Sequence, residues 1–377
     1  MLYRVLTIVF LTSWLCACAK PQASRRISAV ENKPILSETE LDDVLQRAAT
    51  AALGEREGAV LVIDPQTGRL RAIVNPRVAF GQTYPPGSAI KPFTALAALR
   101  AGLLDLETRR QCQGKYARGD FEIVCSHPRS NAPFNLTQAL AYSCNDYFGH
   151  VGERMGASLA NATFASFGFG ERTGINTAGE QSGRLTQGEW RAQEALGDSS
   201  NLLVTPLQLL NAYVALVNGG TLYRPQQAEA DGFTPQIRKK LSIAATQRNV
   251  LLEGMRGAVK FGTADKAKLD ELPLYVFGKT GTSSASNGYQ TQGWFAGFVA
   301  PLHRALTEPI LMGGAPRSVA IVNGTLAAAL GLGLRLWIAG LLLWFVGHMV
   351  AVWAAKRDPD FVEVVRRHVR IPGHLNT

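Results

Sequence analysis

The residues with the clearest capacity for chemistry are Ser88 and Lys91, in the stretch Pro85-Pro86-Gly87-Ser88-Ala89-Ile90-Lys91-Pro92-Phe93. Turn residues end there and an apolar-periodic run begins (Phe93, Leu96, Ala97, Leu99, Leu103, Leu104), so the stretch reads as a loop entering a helix. Positions three apart share a helix face, which puts Lys91 one turn from the Ser88 hydroxyl. A serine hydroxyl attacks only when a base takes its proton. A lysine can be that base if burial beside other cations lowers its pKa. The helix N-terminus favours negative charge developing at Ser88. A lone Ser-x-x-Lys is a weak signal, so its meaning rests on partners elsewhere in the chain.

Two further motifs supply candidates. Ser143-x-Asn145 alone would read as a helix cap, and Lys279-Thr280-Gly281 alone as a strand end with a turn. Chemically, the Ser143 hydroxyl can pass a proton between Lys91 and a leaving amine. Asn145 can hydrogen-bond both Lys91 and a substrate amide. Lys279 brings a second positive charge, which helps keep Lys91 neutral and attracts a substrate carboxylate. The Thr280 and Thr282 hydroxyls can bind that carboxylate. Gly281 has no side chain, so an extended substrate can lie along the strand edge.

The elements that would position these groups follow from periodicity and turn signals. Apolar spacing predicts a helix over Leu41 to Leu53. Ala59 to Asp64 and Arg69 to Val74 read as strands around the turn Pro65-Gln66-Thr67-Gly68. Residues 107–134 read as irregular. Helices are expected at Leu136 to Tyr142, Asp146 to Met155, Thr205 to Val217 (Pro206 in its first turn, Asn218-Gly219-Gly220 as its stop) and Thr246 to Lys260. Phe164 to Gly170 reads as a loop whose aromatics pack inward. Leu274 to Lys279 and Gly293 to Ala300 read as an antiparallel strand pair.

Ser88-x-x-Lys91, Ser143-x-Asn145 and Lys279-Thr280-Gly281 in this order are the motif set of penicillin-recognising enzymes. Residues 41–300 therefore resemble the transpeptidase domain of penicillin-binding proteins. Pro85-Pro86-Gly87 before Ser88, Val204-Thr205-Pro206-Leu207-Gln208, and Gly293-Trp294-Phe295-Ala296-Gly297 extend the likeness. The resemblance implies an α+β fold, an antiparallel sheet flanked by helices. It implies Ser88, Lys91, Ser143, Asn145 and Lys279 as catalytic residues, with Thr280, Gly281 and Thr282 binding substrate. It also implies an oxyanion hole from the backbone N–H groups of Ser88 and Thr282. The expected substrates are D-alanyl-D-alanine stem peptides of peptidoglycan, with β-lactams as acylating inhibitors and no cofactor. A β-lactamase on the same fold is an alternative. It would need a deacylating base, and no convincing acidic candidate follows Ser143.

The likeness stops after Ala300, where a further strand and a C-terminal helix would be expected. Residues 301–377 instead resemble the small inner-membrane subunit of conjugative type IV secretion systems (TrbD-like). His303-Arg304-Ala305-Leu306, Leu311-Met312-Gly313-Gly314, the apolar run 319–355 and Lys356-Arg357-Asp358-Pro359-Asp360-Phe361 with the basic Arg366, Arg367 and Arg370 carry this likeness. One or two transmembrane helices are expected there, interrupted at Arg335. Residues 336–355 alone are long enough to span a bilayer. One span would leave the basic tail in the cytoplasm, in keeping with the positive-inside rule, and two would return it to the exported side. A structural secretion subunit carrying an inactive transpeptidase relic is a second alternative.

At 377 residues and a net charge of +10, the chain suits one large domain with an appendage. Its basic residues are scattered without interleaved aromatics, which argues against nucleic acid and suits anionic lipid or wall polymer. Arg4 followed by apolar residues 5–18 reads as a secretory signal. Leu15-Cys16-Ala17-Cys18 resembles a lipobox, which would make Cys18 a lipidation site, with an ordinary cleaved signal or an uncleaved anchor as alternatives. Residues 19–40 read as a linker, and no glycosyltransferase region is recognisable before residue 41. The resulting expectation is an inner-membrane protein whose catalytic domain faces the periplasm. In that oxidising compartment Cys112 and Cys125 are expected to form a disulfide, with two free thiols as the alternative. That leaves Cys144 single and packed away from the cleft. No Cys/His spacing suggests zinc, so no metal is expected.

Overall fold

The computed structural model describes residues 37–272, 274–284, 291–300, 311–312 and 315–357. The signal-like segment with Cys18, most of the linker, and the basic tail lie outside the described residues. In chain order the elements are α1 (Glu38–Leu53), β1 (Val60–Ile63), β2 (Arg69–Val74), α2 (Pro76–Ala79), a 3-10 turn (Gly87–Ile90), α3 (Lys91–Arg100), β3 (Lys115–Arg118), β4 (Phe121–Val124), α4 (Leu136–Ala141), α5 (Asn145–Glu153) and α6 (Ala157–Ser166). Then follow α7 (Ala192–Leu196), α8 (Pro206–Val217), β5 (Thr221–Tyr223), β6 (Gln226–Gln227), β7 (Ile237–Lys240), α9 (Ala245–Lys260), β8 (Tyr275–Ser284) and β9 (Thr291–Ala300). The last elements are β10 (Leu311–Met312), β11 (Ala315–Pro316), α10 (Arg317–Ala328) and α11 (Trp337–Arg357). Two compact units result: Met1–Gly257 with Lys279–Ala296, and Ala258–Gly278 with Gly297–Thr377.

In the first unit, Ser37 opens α1 through a capping box with Glu40, three residues ahead of the expected start. β1 and β2 pair antiparallel, and β6 joins β2 in parallel to give three strands. Their turn is closed by Asp64, whose carboxylate accepts from Gln66 N at 2.8 Å and Thr67 Oγ1 at 2.7 Å. Buried Arg69 on β2 pairs with Asp42 and Glu38 of α1, so the helix is pinned to the sheet.

α3 is the centre of this unit. Its residues from Lys91 to Ala98 are buried, so it is enclosed on every side. The Phe93 ring meets Phe167 at 5.1 Å, Phe169 at 5.1 Å and Tyr213 at 5.2 Å, each edge-on. The aromatics of 164–170 pack inward as expected, although α6 continues to Ser166 before the chain turns. Residues 107–134 are not wholly irregular: β3 and β4 form a hairpin there, because Tyr116 buries against α5 while its neighbours stay exposed. β8 and β9 pair with each other, and no third strand joins them among the described residues.

In the second unit, α10 and α11 pack as an antiparallel pair. Gly331 and Gly340 let the backbones touch, and Asn323 Nδ2 donates to Trp344 O at 2.9 Å. Between the helices Arg335 adopts φ 56°, so the break falls where the apolar run carries its one charge. Residues 337–354 have a mean hydropathy of 1.8, and their side chains, Ile338, Leu341, Leu342 and Phe345 among them, are mostly exposed. By length and composition this helix can cross a membrane.

Candidate active site

Ser88 lies half-buried in the 3-10 turn that runs directly into α3. The turn is gripped from two sides by glycine contacts. Gly87 has φ 52°, and a Cβ there would stand 2.3 Å from the Thr282 carbonyl oxygen of β8. Gly87 N donates to Gly197 O at 2.9 Å, and a Cβ on Gly197 would stand 2.2 Å from Gly87 O. Gly281 faces inward, where a Cβ would meet Ala89 N at 2.8 Å and Pro86 O at 2.9 Å. Its role here is close approach of β8 to the serine turn, a different reason from the open strand edge expected from sequence. Ser283 Oγ and Trp294 Nε1 both donate to Pro85 O, at 2.9 Å and 3.1 Å. Tyr213 OH donates to Ala89 O at 2.7 Å from the other side.

Lys91, fully buried, enters the site from the first turn of α3. Its Nζ donates to Ser143 O at 2.8 Å, to Ser143 Oγ at 3.2 Å and to Asn145 Oδ1 at 2.7 Å. Lys279, also buried, donates to Ser143 Oγ at 2.9 Å and to Thr280 O at 2.8 Å. Ser143 Oγ therefore stands between the two ammonium groups. Both its carbonyl and its hydroxyl can face Lys91 because Ser143 adopts φ 53°, a left-handed conformation that a non-glycine residue rarely takes. Asn145 donates one Nδ2 hydrogen to Val124 O at 2.8 Å, and its amide carries a second Nδ2 hydrogen. Among the described residues no hydrogen bond joins Lys91 Nζ to Ser88 Oγ. The donors of Lys91 are taken by Ser143 and Asn145.

Burial pulls the Lys91 ammonium down to about 7, while the nearby sulfurs of Cys144 and Cys125 and the Asp198 carboxylate push the other way. Burial also holds Lys279 well below its usual value, with the charge of Lys91 as a second cause. Two cations crowded on one hydroxyl thus leave one of them able to act as a base near neutrality.

Thr280 is half-buried and Thr282 exposed, both on β8 beside the serine turn. The ordered motifs therefore converge on one place. The sequence reading missed a second cluster beside it. Cys112, Cys125, His127 and Cys144 place one ligand-type atom each within 4.8 Å of one another. Cys112 and Cys125 Sγ stand 3.7 Å apart as free thiols, adjacent as expected but not bonded. Cys144, expected to be single, faces Cys125 Sγ at 3.9 Å and caps α5. No metal was expected from the spacing, and the fold nevertheless brings these four side chains to distances at which one ion could be held. Only the close pair Cys125-x-His127 hinted at it, because the four residues come from a loop, the end of a hairpin and a helix cap.

A family model for the penicillin binding protein transpeptidase domain matches residues 58–303, more than half of the chain. The chain belongs to the penicillin-binding protein transpeptidase family. The curated relatives of this transpeptidase domain include peptidoglycan D,D-transpeptidase MrdA of Acinetobacter baumannii, 27% identical over 73% of this chain and 48% of that one. Stage V sporulation protein D of Bacillus subtilis is 31% identical over 52% of this chain and 35% of that protein. The chain thus spans half or less of the length of these relatives. Among solved structures, Pseudomonas aeruginosa PBP2 in complex with WCK 5153 superposes with a TM-score of 0.60 at 26% identity, covering 68% of this chain and 69% of that one. The apo transpeptidase domain of Burkholderia pseudomallei penicillin-binding protein 3 shares the fold with a TM-score of 0.59 at 23% identity, covering 71% of this chain and 82% of that one. A second family model, described as type IV secretory pathway VirB3-like protein, matches residues 299–375. It agrees with the secretion-subunit resemblance of the C-terminal segment.

Proposed function

We propose that this protein is a membrane-tethered serine acyltransferase acting on D-alanyl-D-alanine stem peptides of peptidoglycan. The observation that carries the reading is the bridge Lys91–Ser143–Lys279 beside the Ser88 turn. Ser88 Oγ attacks the penultimate carbonyl and gives its proton to neutral Lys91. Charge develops on the carbonyl oxygen, where the N–H groups of Ser88 and Thr282 stabilise it. The proton then passes from Lys91 through Ser143 Oγ to the departing D-alanine amine. Asn145 Nδ2 and the β8 edge hold the peptide, and Lys279 with Thr280 and Thr282 attracts its terminal carboxylate. An amine completes transpeptidation, and water completes carboxypeptidation. β-Lactams acylate Ser88 by the same attack. The catalytic part faces the periplasm after export through the 5–18 segment, tethered by the 337–354 helix and by lipid at Cys18.

The test is labelling of the full-length protein in membranes with a fluorescent penicillin, beside Ser88→Ala. A band that vanishes in the variant is expected. A folded, exported protein that gives no band would overturn the reading.

The VirB3-like match over residues 299–375 favours one additional reading, that this segment docks the protein on the inner-membrane subunits of a type IV secretion system. Co-purification of such subunits with the full chain is expected. Loss of that co-purification on replacing residues 299–375 with an unrelated membrane anchor would assign the contact to this segment. Retention would exclude it.

A further inference from the structure

Sequence spacing offers no convincing acidic group after Ser143 to release an acyl group, but the fold brings one to the serine turn. Gly197 lies so close to Gly87 that Gly87 N donates to its carbonyl at 2.9 Å and a Cβ on Gly197 would stand 2.2 Å from Gly87 O. Asp198 is the next residue, half-buried, so its backbone leaves directly from the one that leads into Ser88. Its carboxylate charge bears on buried Lys91. Asp146, Glu171 and Glu180 also follow Ser143 and are engaged elsewhere. Asp146 faces Arg110 and His150, Glu171 pairs with Arg238, and buried Glu180 accepts from the Thr173 and Gly174 N–H groups.

The loop that carries Asp198 is fastened on both sides. Ahead of it, Thr94 Oγ1 of α3 donates to Ala195 O at 2.9 Å, and Asp198 N donates to Gln193 O at 3.2 Å. Beyond it, the buried Glu194 carboxylate accepts from Ser199 Oγ at 3.1 Å and Asn201 Nδ2 at 3.3 Å, and also from Arg191 N at 3.1 Å. Arg184 Nη2 donates to Ser200 O. Glu194 thus serves the loop, and the loop holds Asp198 in a fixed place beside the nucleophile turn.

A carboxylate there complements Lys91. In the reaction proposed above, Lys91 faces Ser143 and Asn145, and its proton leaves on that side with the amine. A β-lactam keeps its leaving amine tethered to the acyl group, so that side stays occupied. An amine acceptor attacks with its own lone pair, whereas water attacks well only when a base takes its proton.

We propose that Asp198 is the base that lets water take the acyl group from Ser88, which gives the protein a hydrolytic activity on penicillins and on D-alanyl-D-alanine peptides. The inference rests on the acylation of Ser88 proposed above. The Asp198 carboxylate takes one proton from a water molecule as the water oxygen bonds to the acyl carbonyl carbon. The carbonyl electron pair moves onto its oxygen, where the N–H groups of Ser88 and Thr282 stabilise it. When that pair returns, the bond from the carbonyl carbon to Ser88 Oγ breaks, and Oγ receives the proton that Asp198 took. Serine hydroxyl and Asp198 carboxylate are restored, and the acyl group leaves as a carboxylic acid.

The test uses the full-length protein in detergent, labelled with fluorescent penicillin and chased with unlabelled penicillin. The wild-type band should fade while hydrolysed fluorescent penicillin, one water heavier, appears by mass spectrometry. Asp198→Asn should label no more slowly than wild type, because loss of the charge leaves Lys91 more readily neutral. Its band should fade about 100-fold more slowly. Asp198→Glu keeps a carboxylate and should fade within about tenfold of wild type. Hydroxylamine, an amine that needs no base, should clear the label from wild type and Asp198→Asn at similar rates. A wild-type band that never fades, with no hydrolysed penicillin, overturns the inference whatever the variants do. So does an Asp198→Asn band that fades as fast as wild type, or one that resists hydroxylamine as well as water. Slower labelling of Asp198→Asn with unchanged fading would make Asp198 a support of the serine turn and equally overturn its role as a base. A wild-type protein that never labels fails the acylation reading itself, whereas labelling without turnover fails this inference alone.

Discussion

Ser143 bridges Lys91 and Lys279 from a backbone conformation that costs an ordinary residue about 1–2 kcal/mol. In the reaction proposed above this cost serves the proton relay, since both the carbonyl and the hydroxyl of Ser143 accept from Lys91. Ser143→Gly should therefore leave thermal stability within about 1 kcal/mol of the parent, while penicillin acylation falls about 100-fold for want of the proton relay. Calorimetry and labelling kinetics on the same sample would separate the two effects. A loss of stability with acylation intact would remove Ser143 from the mechanism. In the proposed reaction Lys91 sets the pH dependence. Its folded pKa of about 7 lies below the usual 10.5, so the neutral base is scarce at low pH and accumulates as pH rises. The labelling rate should climb about tenfold per pH unit below neutrality and level off above about 7. A flat profile between pH 5 and 8 would exclude Lys91 as the base.

β8 reaches the serine turn only because glycines stand where the backbones meet. A methyl group at Gly281 would lie 2.8 Å from Ala89 N and 2.9 Å from Pro86 O, and neither is a flexible side-chain end that could move aside. Gly281→Ala should push β8 off the turn, carrying Lys279 and the Thr282 N–H with it. Displacements of about 1 Å can cost two orders of magnitude in rate. Acylation should fall between about tenfold and 100-fold, with helical content by circular dichroism unchanged. Wild-type labelling by this variant would show that the contact has no bearing on the site. The same packing explains why Ser283 and Trp294 both end on Pro85 O: they fasten the strand pair to the residue that leads into the Ser88 turn.

At the scale of the whole molecule, a transpeptidase-family domain and a helix long and apolar enough to cross a membrane share one chain. The helix over residues 337–354 exposes a nearly continuous apolar surface, which has a low free energy only in lipid or against another apolar helix. A cysteine introduced as Leu342→Cys should resist a water-soluble maleimide in membranes of either orientation and react after detergent is added, as read by peptide mass mapping. Reaction in intact membranes from one side would show that α11 does not span the bilayer.

The sequence by itself determined the Ser88 turn, the order of the three motifs, most helices and the apolar C-terminal segment, because each is a local matter of spacing, capping or composition. The Thr205 cap with Pro206, and Ser88 ahead of an apolar run, are examples where chain neighbours alone decide the structure. Tertiary structure decided what local rules do not reach. The hairpin within 107–134 forms because α5 buries Tyr116, and the inward face of Gly281 follows from the approach of β8 to the serine turn. The partners of Lys91 are Ser143 and Asn145 rather than Ser88, a consequence of how α5 docks on α3. The cluster of Cys112, Cys125, His127 and Cys144 has no regular spacing in the chain, since it is defined by distances of a few ångströms between side chains. The fold closes those distances across segments that the chain keeps apart.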